Sequence, residues 1–221
     1  MRAAERAYAT VRDGILQGKY QAGFRLTEEH LARTARVSRT PIREALRRLH
    51  AEGLVDFEPN HGAVVSSYGV EAAEEIFELR ALLEPLGARR AALRATAEAI
   101  AGLRSLAEQQ IAESIQRKGD FLKRIGELND RFHRAVQAAA QSTRLGKALA
   151  GIIEAPLVLQ TFRQYTPTEL VRSADQHLEL VQAFEERDPA WAHGIMQAHI
   201  LAGRAAYLRD RESPPRQRSF A

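Results

Sequence analysis

The 221-residue chain contains no cysteine, so disulfide bridges and thiolate metal sites are excluded, as suits a reducing, cytoplasmic setting. Long apolar runs are missing too. No stretch reaches the ~18 consecutive apolar residues that a spanning helix needs, and Met1 to Thr10 lacks the apolar centre of a secretion signal, so no membrane partner is expected. There is no HExxH or comparable zinc-hydrolase motif, hence no evident general base for a metal-dependent enzyme. Internal repeats are absent as well. The charge excess is slight: a formal +4 permits a nucleic-acid partner without demanding one. What remains is an ordinary soluble composition, 45% apolar and 27% charged, long enough for one large domain or two small ones.

Proline and glycine punctuate the first 69 residues, whereas the rest reads as long helices. Tyr8, Val11, Ile15 and Leu16 mark a helix ending near Gly18, and Tyr20 to Leu26 is short, extended and turn-like. Thr27 is placed as an N-cap, with Glu28 and Glu29 in the first turn, where the helix dipole favours acids. That helix breaks at Arg36-Val37. Ser38 is placed as the next N-cap, Pro41 sits where its missing N–H is harmless, and Ile42, Leu46 and Leu49 follow at helical spacing until Gly53. Leu54–Glu58 and Ala63–Ser66 read as strands joined by a turn at Pro59-Asn60-His61-Gly62. Three helices and a β-hairpin make a winged helix-turn-helix plan.

From Val70 on, the apolar period is 3.6. Ile76, Leu79, Leu83 and Leu86 are expected to form one core stripe, and further helices are expected over 97–118, 120–140, 143–164, 167–187 and 190–212. The expected fold is therefore mainly α: residues 1–69 a winged helix-turn-helix, 70–212 an antiparallel six-helix bundle, and 213–221 a flexible tail.

Six arginines, Arg33, Arg36, Arg39, Arg43, Arg47 and Arg48, crowd the second half of the N-terminal segment, answered locally only by Glu44. On an isolated helix that pattern is a solvated face. Here Arg39 and Thr40 open the third helix, and Arg43 lies one turn on, at the end of a recognition helix that enters a major groove. Arginine reaches guanine bidentately, and the Ser38 and Thr40 hydroxyls suit phosphate or base edges. Arg33 and Arg47 complete the basic surface, while His61 and Gly62 form a wing tip that can approach a minor groove.

Val37-Ser-Arg-Thr-Pro-Ile-Arg-Glu-Ala-Leu46, with Leu49 and Glu52-Gly-Leu-Val55, closely resembles the recognition-helix signature of GntR-family regulators. Ile15, Gly18, Gly23, Leu26, Leu31-Ala32 and Asn60-His61-Gly62 match the rest of that family's DNA-binding domain. The resemblance implies a transcriptional regulator, expected to be a repressor, that binds double-stranded operator DNA through Arg39, Thr40, Arg43 and the His61-Gly62 turn. It departs at Glu29, where some relatives carry a basic DNA contact, so Glu29 is not counted among the contacts. A homodimer on a near-palindromic operator is expected, since one recognition helix reads only a few base pairs.

Four of seven histidines lie in the helical half: His133, His177, His193 and His199. Asn129 and His133 share a helix face four residues apart. His177 precedes the Asp188-Pro189 turn by eleven residues and His199 follows Asp188 by eleven, so the two meet across a helical hairpin. His193 is turned away from them. Three imidazoles and a side-chain oxygen suit one divalent ion, zinc first and nickel or another transition metal as alternatives. Glu78-Leu-Arg80 with Glu84, Asn129-Asp-Arg-Phe-His133, His177 and His199 resemble the FCD ligand-binding domain of the FadR subfamily. That resemblance implies a metal held by Asn129, His133, His177 and His199. It also implies an effector pocket faced by Arg80, suited to a small organic or sugar acid, although the residue types alone equally allow Arg80 a salt bridge to Glu78 or Glu84. The family's usual aspartate is replaced by Asn129, which coordinates without charge, so weaker metal affinity is expected. Two other readings stay open at this point: a regulator for which the ion itself is the signal, and a metal-dependent enzyme.

Overall fold

The computed structural model describes residues 3–16, 19–21, 23–58, 62–66, 70–152 and 155–209. The chain divides into two compact units: residues 1–68 together with 154–159, and residues 69–153 together with 160–221.

In the first unit, helices α1 (Ala3–Leu16), α2 (Glu28–Ala35) and α3 (Arg39–Ala51) pack beside a small antiparallel sheet. Its strands are β1 (Arg25–Leu26), β2 (Val55–Glu58) and β3 (Gly62–Val65), in the order β1-β3-β2. The expected hairpin is present, with Val55 opposite Val65 and Glu58 opposite Gly62. The segment expected to be merely turn-like supplies the third strand, Arg25 pairing with Val64. A two-residue strand has no readable period; it exists because β3 offers it a free edge.

Local chemistry explains the helix limits. The Thr27 hydroxyl accepts the His30 N–H and caps α2, and Arg36 ends it in the left-handed conformation at φ 53°. Ser38 stands at the N-cap of α3 as expected, but its hydroxyl makes no capping hydrogen bond. The core joins Val11 and Ile15 of α1 to Leu31, Ile42, Leu46, Leu49, Leu54 and Val65. Gly14 is required there by close approach: a Cβ would fall 2.5 Å from the buried Tyr20 ring.

The second unit is all-helical: α4 (Val70–Arg94), α5 (Ala97–Gln116), α6 (Phe121–Ala139), α7 (Thr143–Ala150), α9 (Pro167–Glu185) and α10 (Pro189–Leu208), with α8 (Ala155–Gln164) divided between the units. The single helix expected over 143–164 is two. Gly151 closes α7 and Pro156 stands in the first turn of α8, where its missing N–H would interrupt a continuous helix. Strong caps punctuate the rest. Thr166 and Glu169 form a capping box, and Asp188 accepts the N–H groups of Ala190 and Trp191 at 2.9 Å each.

Helix α4 lies chiefly against α10, with α6 and α9 also packed on it, while α5 bridges α6 and α9. Its buried face is not the expected one. Ala73, Phe77, Arg80, Ala81, Glu84 and Ala88 are buried, whereas Leu79 and Leu86 are 38% and 42% exposed. Alanine, being small, allows close helix packing, and a pattern carrying apolar residues on two faces cannot announce which of them turns inward.

Candidate nucleic-acid interface and metal centre

Arg33, Ser38, Arg39, Thr40, Arg43, Arg47 and Gly62 are all exposed, and His61 lies outside the described residues. Gly62 adopts φ +75°, a conformation that a side chain would strain, so the wing requires glycine there. The arginines are not answered by Glu44 alone. Glu29 lies 3.1 Å from Arg33 and 4.0 Å from Arg39, and Glu28 accepts a 2.7 Å hydrogen bond from Arg43 Nε. That bond holds the Glu28 carboxyl below its ordinary range, against the opposing effect of desolvation. Arg48 is tied elsewhere, paired with Glu5 and Glu52 and stacked 3.7 Å over the Tyr8 ring. The Glu29–Arg33 and Glu52–Arg48 pairs are four residues apart and were open to a local reading, whereas Glu28–Arg43 and Glu29–Arg39 arise only where α2 and α3 cross.

In the helical unit, His133 on α6, His177 on α9 and His199 on α10 converge. Their ligand atoms all lie within 4.8 Å of one another, and their ring centroids are 4.6–5.3 Å apart. All three are buried. His193 is only half-buried and is not among them. Asn129 is buried one turn before His133, while Asp130 is exposed and pairs with Arg134 at 2.9 Å.

Each imidazole has an outer partner at Nδ1. His133 meets Glu84 at 2.5 Å, His177 meets Gln110 at 2.7 Å and His199 meets Gln176 at 3.3 Å. Nδ1 as donor leaves Nε2 as a lone pair, which is the orientation outer partners impose on ligating imidazoles. The buried Nε2 atoms of His133 and His177 have no hydrogen-bond partner among the described residues. Orphaned buried acceptors aimed into one space fit a divalent ion. Phe132 stacks on His177 at 4.0 Å and walls the cluster.

Burial and mutual repulsion keep His177 and His199 neutral, the form that can coordinate an ion. Burial, then His199 and His133, pushes His177 well below its ordinary value; burial, then His133, brings His199 down to about 3. Burial pushes Glu84 upward, but the Arg80 guanidinium and then His133 outweigh it and hold the carboxyl far below its usual range. Arg80 is itself buried and donates from Nε to Glu84 at 2.7 Å. Arg80, Glu84 and His133 thus form one buried chain of charge and hydrogen bonds. Tyr165 lies within the influence of Arg80 and Arg172, its hydroxyl pushed up to about 12 by burial. Gln110, Gln176, Tyr165 and Arg172 were not singled out from sequence, although Gln176 is adjacent to His177 and was the most accessible of these signals.

A winged helix-turn-helix joined to an all-helical unit with a buried histidine cluster defines the class of two-part transcriptional regulators. The family models agree: bacterial regulatory proteins of the gntR family match residues 3–65, and the FCD domain matches residues 75–202. The chain belongs to the GntR family of DNA-binding transcriptional regulators and carries an FCD domain. It is 31% identical to the Nta operon transcriptional regulator of Aminobacter aminovorans, over 82% of this chain and 83% of that one. It is 29% identical to a probable D-xylose utilization operon transcriptional repressor of Paenarthrobacter nicotinovorans, over 88% and 82%. Among solved structures, Escherichia coli McbR/YncC matches with a TM-score of 0.73 over 96% of this chain and 99% of that one; at 22% identity that likeness concerns the fold. Members of this family regulate transcription, which removes the enzyme reading.

Proposed function

We propose that this regulator is a homodimeric repressor whose operator affinity is set by a small organic or sugar acid, bound beside one divalent ion in the helical unit. The carrying observation is the inward set of three buried imidazoles with outer partners on Nδ1. His133, His177, His199 and the Asn129 carbonyl hold the ion, zinc before nickel, and the ion supplies an open position for an anionic oxygen. Arg80, anchored by Glu84, supplies the fixed cation for the effector carboxylate, and Arg172 adds positive potential. Residues 1–69 read the operator with Arg39, Thr40, Arg43 and the His61-Gly62 wing tip, and Arg33, Ser38 and Arg47 hold phosphate; residues 70–212 sense and dimerise. The D-xylose utilization operon named for one relative supports control of a catabolic operon.

Metal analysis of single alanine variants tests the centre. His177→Ala and His199→Ala are expected to lose the ion, and undiminished metal in both overturns the assignment. A thermal-shift screen of organic and sugar acids on the metal-loaded protein tests the effector; stabilisation by none of them overturns that part. The reading in which the ion is the signal predicts reversible metal loss on dialysis with altered operator affinity, whereas retention through dialysis supports a resident ion.

A further inference from the structure

Helix α4 carries a second apolar face. Of the nine large hydrophobic side chains exposed among the described residues, five lie on α4, and four of these share that face: Leu79, Leu82, Leu86 and Leu93, with Leu82 68% exposed. Ala72, Glu75 and Arg89 are exposed as well and complete the row. The seven positions alternate steps of three and four residues, which puts them on an arc of roughly 100°. Single exposed leucines are ordinary; a row of four at coiled-coil spacing is a contiguous patch that in solution needs a cover.

We infer that the cover is a second copy of this chain, α4 packing on α4 in antiparallel register about a two-fold axis at Leu82. The inference rests on the homodimer proposed above and names its surface. The charges choose the occupant and its direction. Glu75 and Arg89 each stand seven residues from Leu82, about 10 Å along the helix on either side. A two-fold axis at Leu82 sets Glu75 of one copy against Arg89 of the other, twice over. A parallel pair would instead oppose glutamate to glutamate and arginine to arginine.

Sedimentation equilibrium of the full chain tests the surface. Leu82 is exposed, so Leu82→Glu leaves the core intact, as an unchanged circular dichroism spectrum will show; by setting two carboxylates together at the axis it is expected to weaken the dimer about 100-fold. Arg89→Glu and Glu75→Arg are each expected to weaken it about tenfold or more, and the double variant to return it near wild type. A wild-type dimer that all three single variants leave unchanged overturns the α4 surface while leaving the regulator reading standing. Weakening by Leu82→Glu alone overturns the antiparallel register. A wild-type chain that stays monomeric on its operator overturns both this inference and the proposed homodimer.

Discussion

Arg43 Nε donates to Glu28 Oε1 at 2.7 Å, linking the first turn of α2 to the first turns of α3. The carboxylate is fixed where it can aim a guanidinium, while its own charge opposes approach to phosphate. Glu28→Gln is therefore expected to lower affinity for operator several-fold and to hold or raise affinity for random duplex, because one anion is removed from the docking face. Fluorescence anisotropy on both duplexes measures the ratio. An equal change on both contradicts an aiming role.

Arg39 and Arg47 are expected to separate by mechanism. Losing a bidentate base contact in Arg39→Ala should lower operator affinity about 5–150-fold and relax preference at one base position. Arg47→Ala should keep the preference and reduce the slope of log affinity against log salt by about 1, the signature of one phosphate contact. Titrations at four salt concentrations distinguish the two. The wild-type slope is expected to be steep, and a flat one is incompatible with this arginine surface.

Several of these relationships were legible in the sequence. The Thr27 cap, the Arg36 break and the meeting of His177 with His199 follow from short-range chemistry or helical pitch. The pairing of Glu28 and Glu29 with Arg43 and Arg39 does not, since it depends on how two helices cross. Nor does the Arg25–Val64 strand pairing, whose partners stand 39 residues apart and become neighbours only after the core has formed. The inward face of α4 was misread because leucine marks the exposed side and alanine the buried one. Gln110 was invisible for the same reason as the acids: it reaches His177 from another helix.

The buried histidines set a pH dependence for the metal-free protein. Folded-state values lie below the unfolded ~6.5, so the unfolded chain binds more protons as pH falls and stability drops through that range. Between pH 6.5 and 5, with His199 neutral when folded, the loss is about 2 kcal/mol for each such histidine. Melting curves of metal-free protein at pH 7.5 and 5 measure it, and His199→Asn should flatten the slope. Added zinc should raise Tm at pH 7.5 and still raise it at pH 5, because His177 and His199 stay neutral there in the folded protein. A Tm independent of pH contradicts neutral burial.

Arg80 is expected to carry two loads that one substitution confounds. Arg80→Ala leaves Glu84 buried opposite His133 without its cation, at a cost of about 3–5 kcal/mol. Arg80→Lys keeps the charge but loses the planar fork, so it should fold nearly as wild type, bind operator normally and respond weakly to the effector. Operator titrations with and without the stabilising acid test this. An unaltered response in Arg80→Lys places the effector's anchor elsewhere.

The turn between α9 and α10 sits midway between two buried imidazoles, eleven residues to Asp188 on each side. Helical pitch turns that interval into a ruler. One residue added between Pro189 and His199 would rotate the latter by about 100° and carry it roughly 1.5 Å along the axis, out of the cluster. Among descendants of this chain, length changes should therefore settle outside the 22-residue interval from His177 to His199, or arrive together with loss of the histidines. A single residue inserted in frame there is expected to leave a helical domain that no longer gathers its three nitrogens.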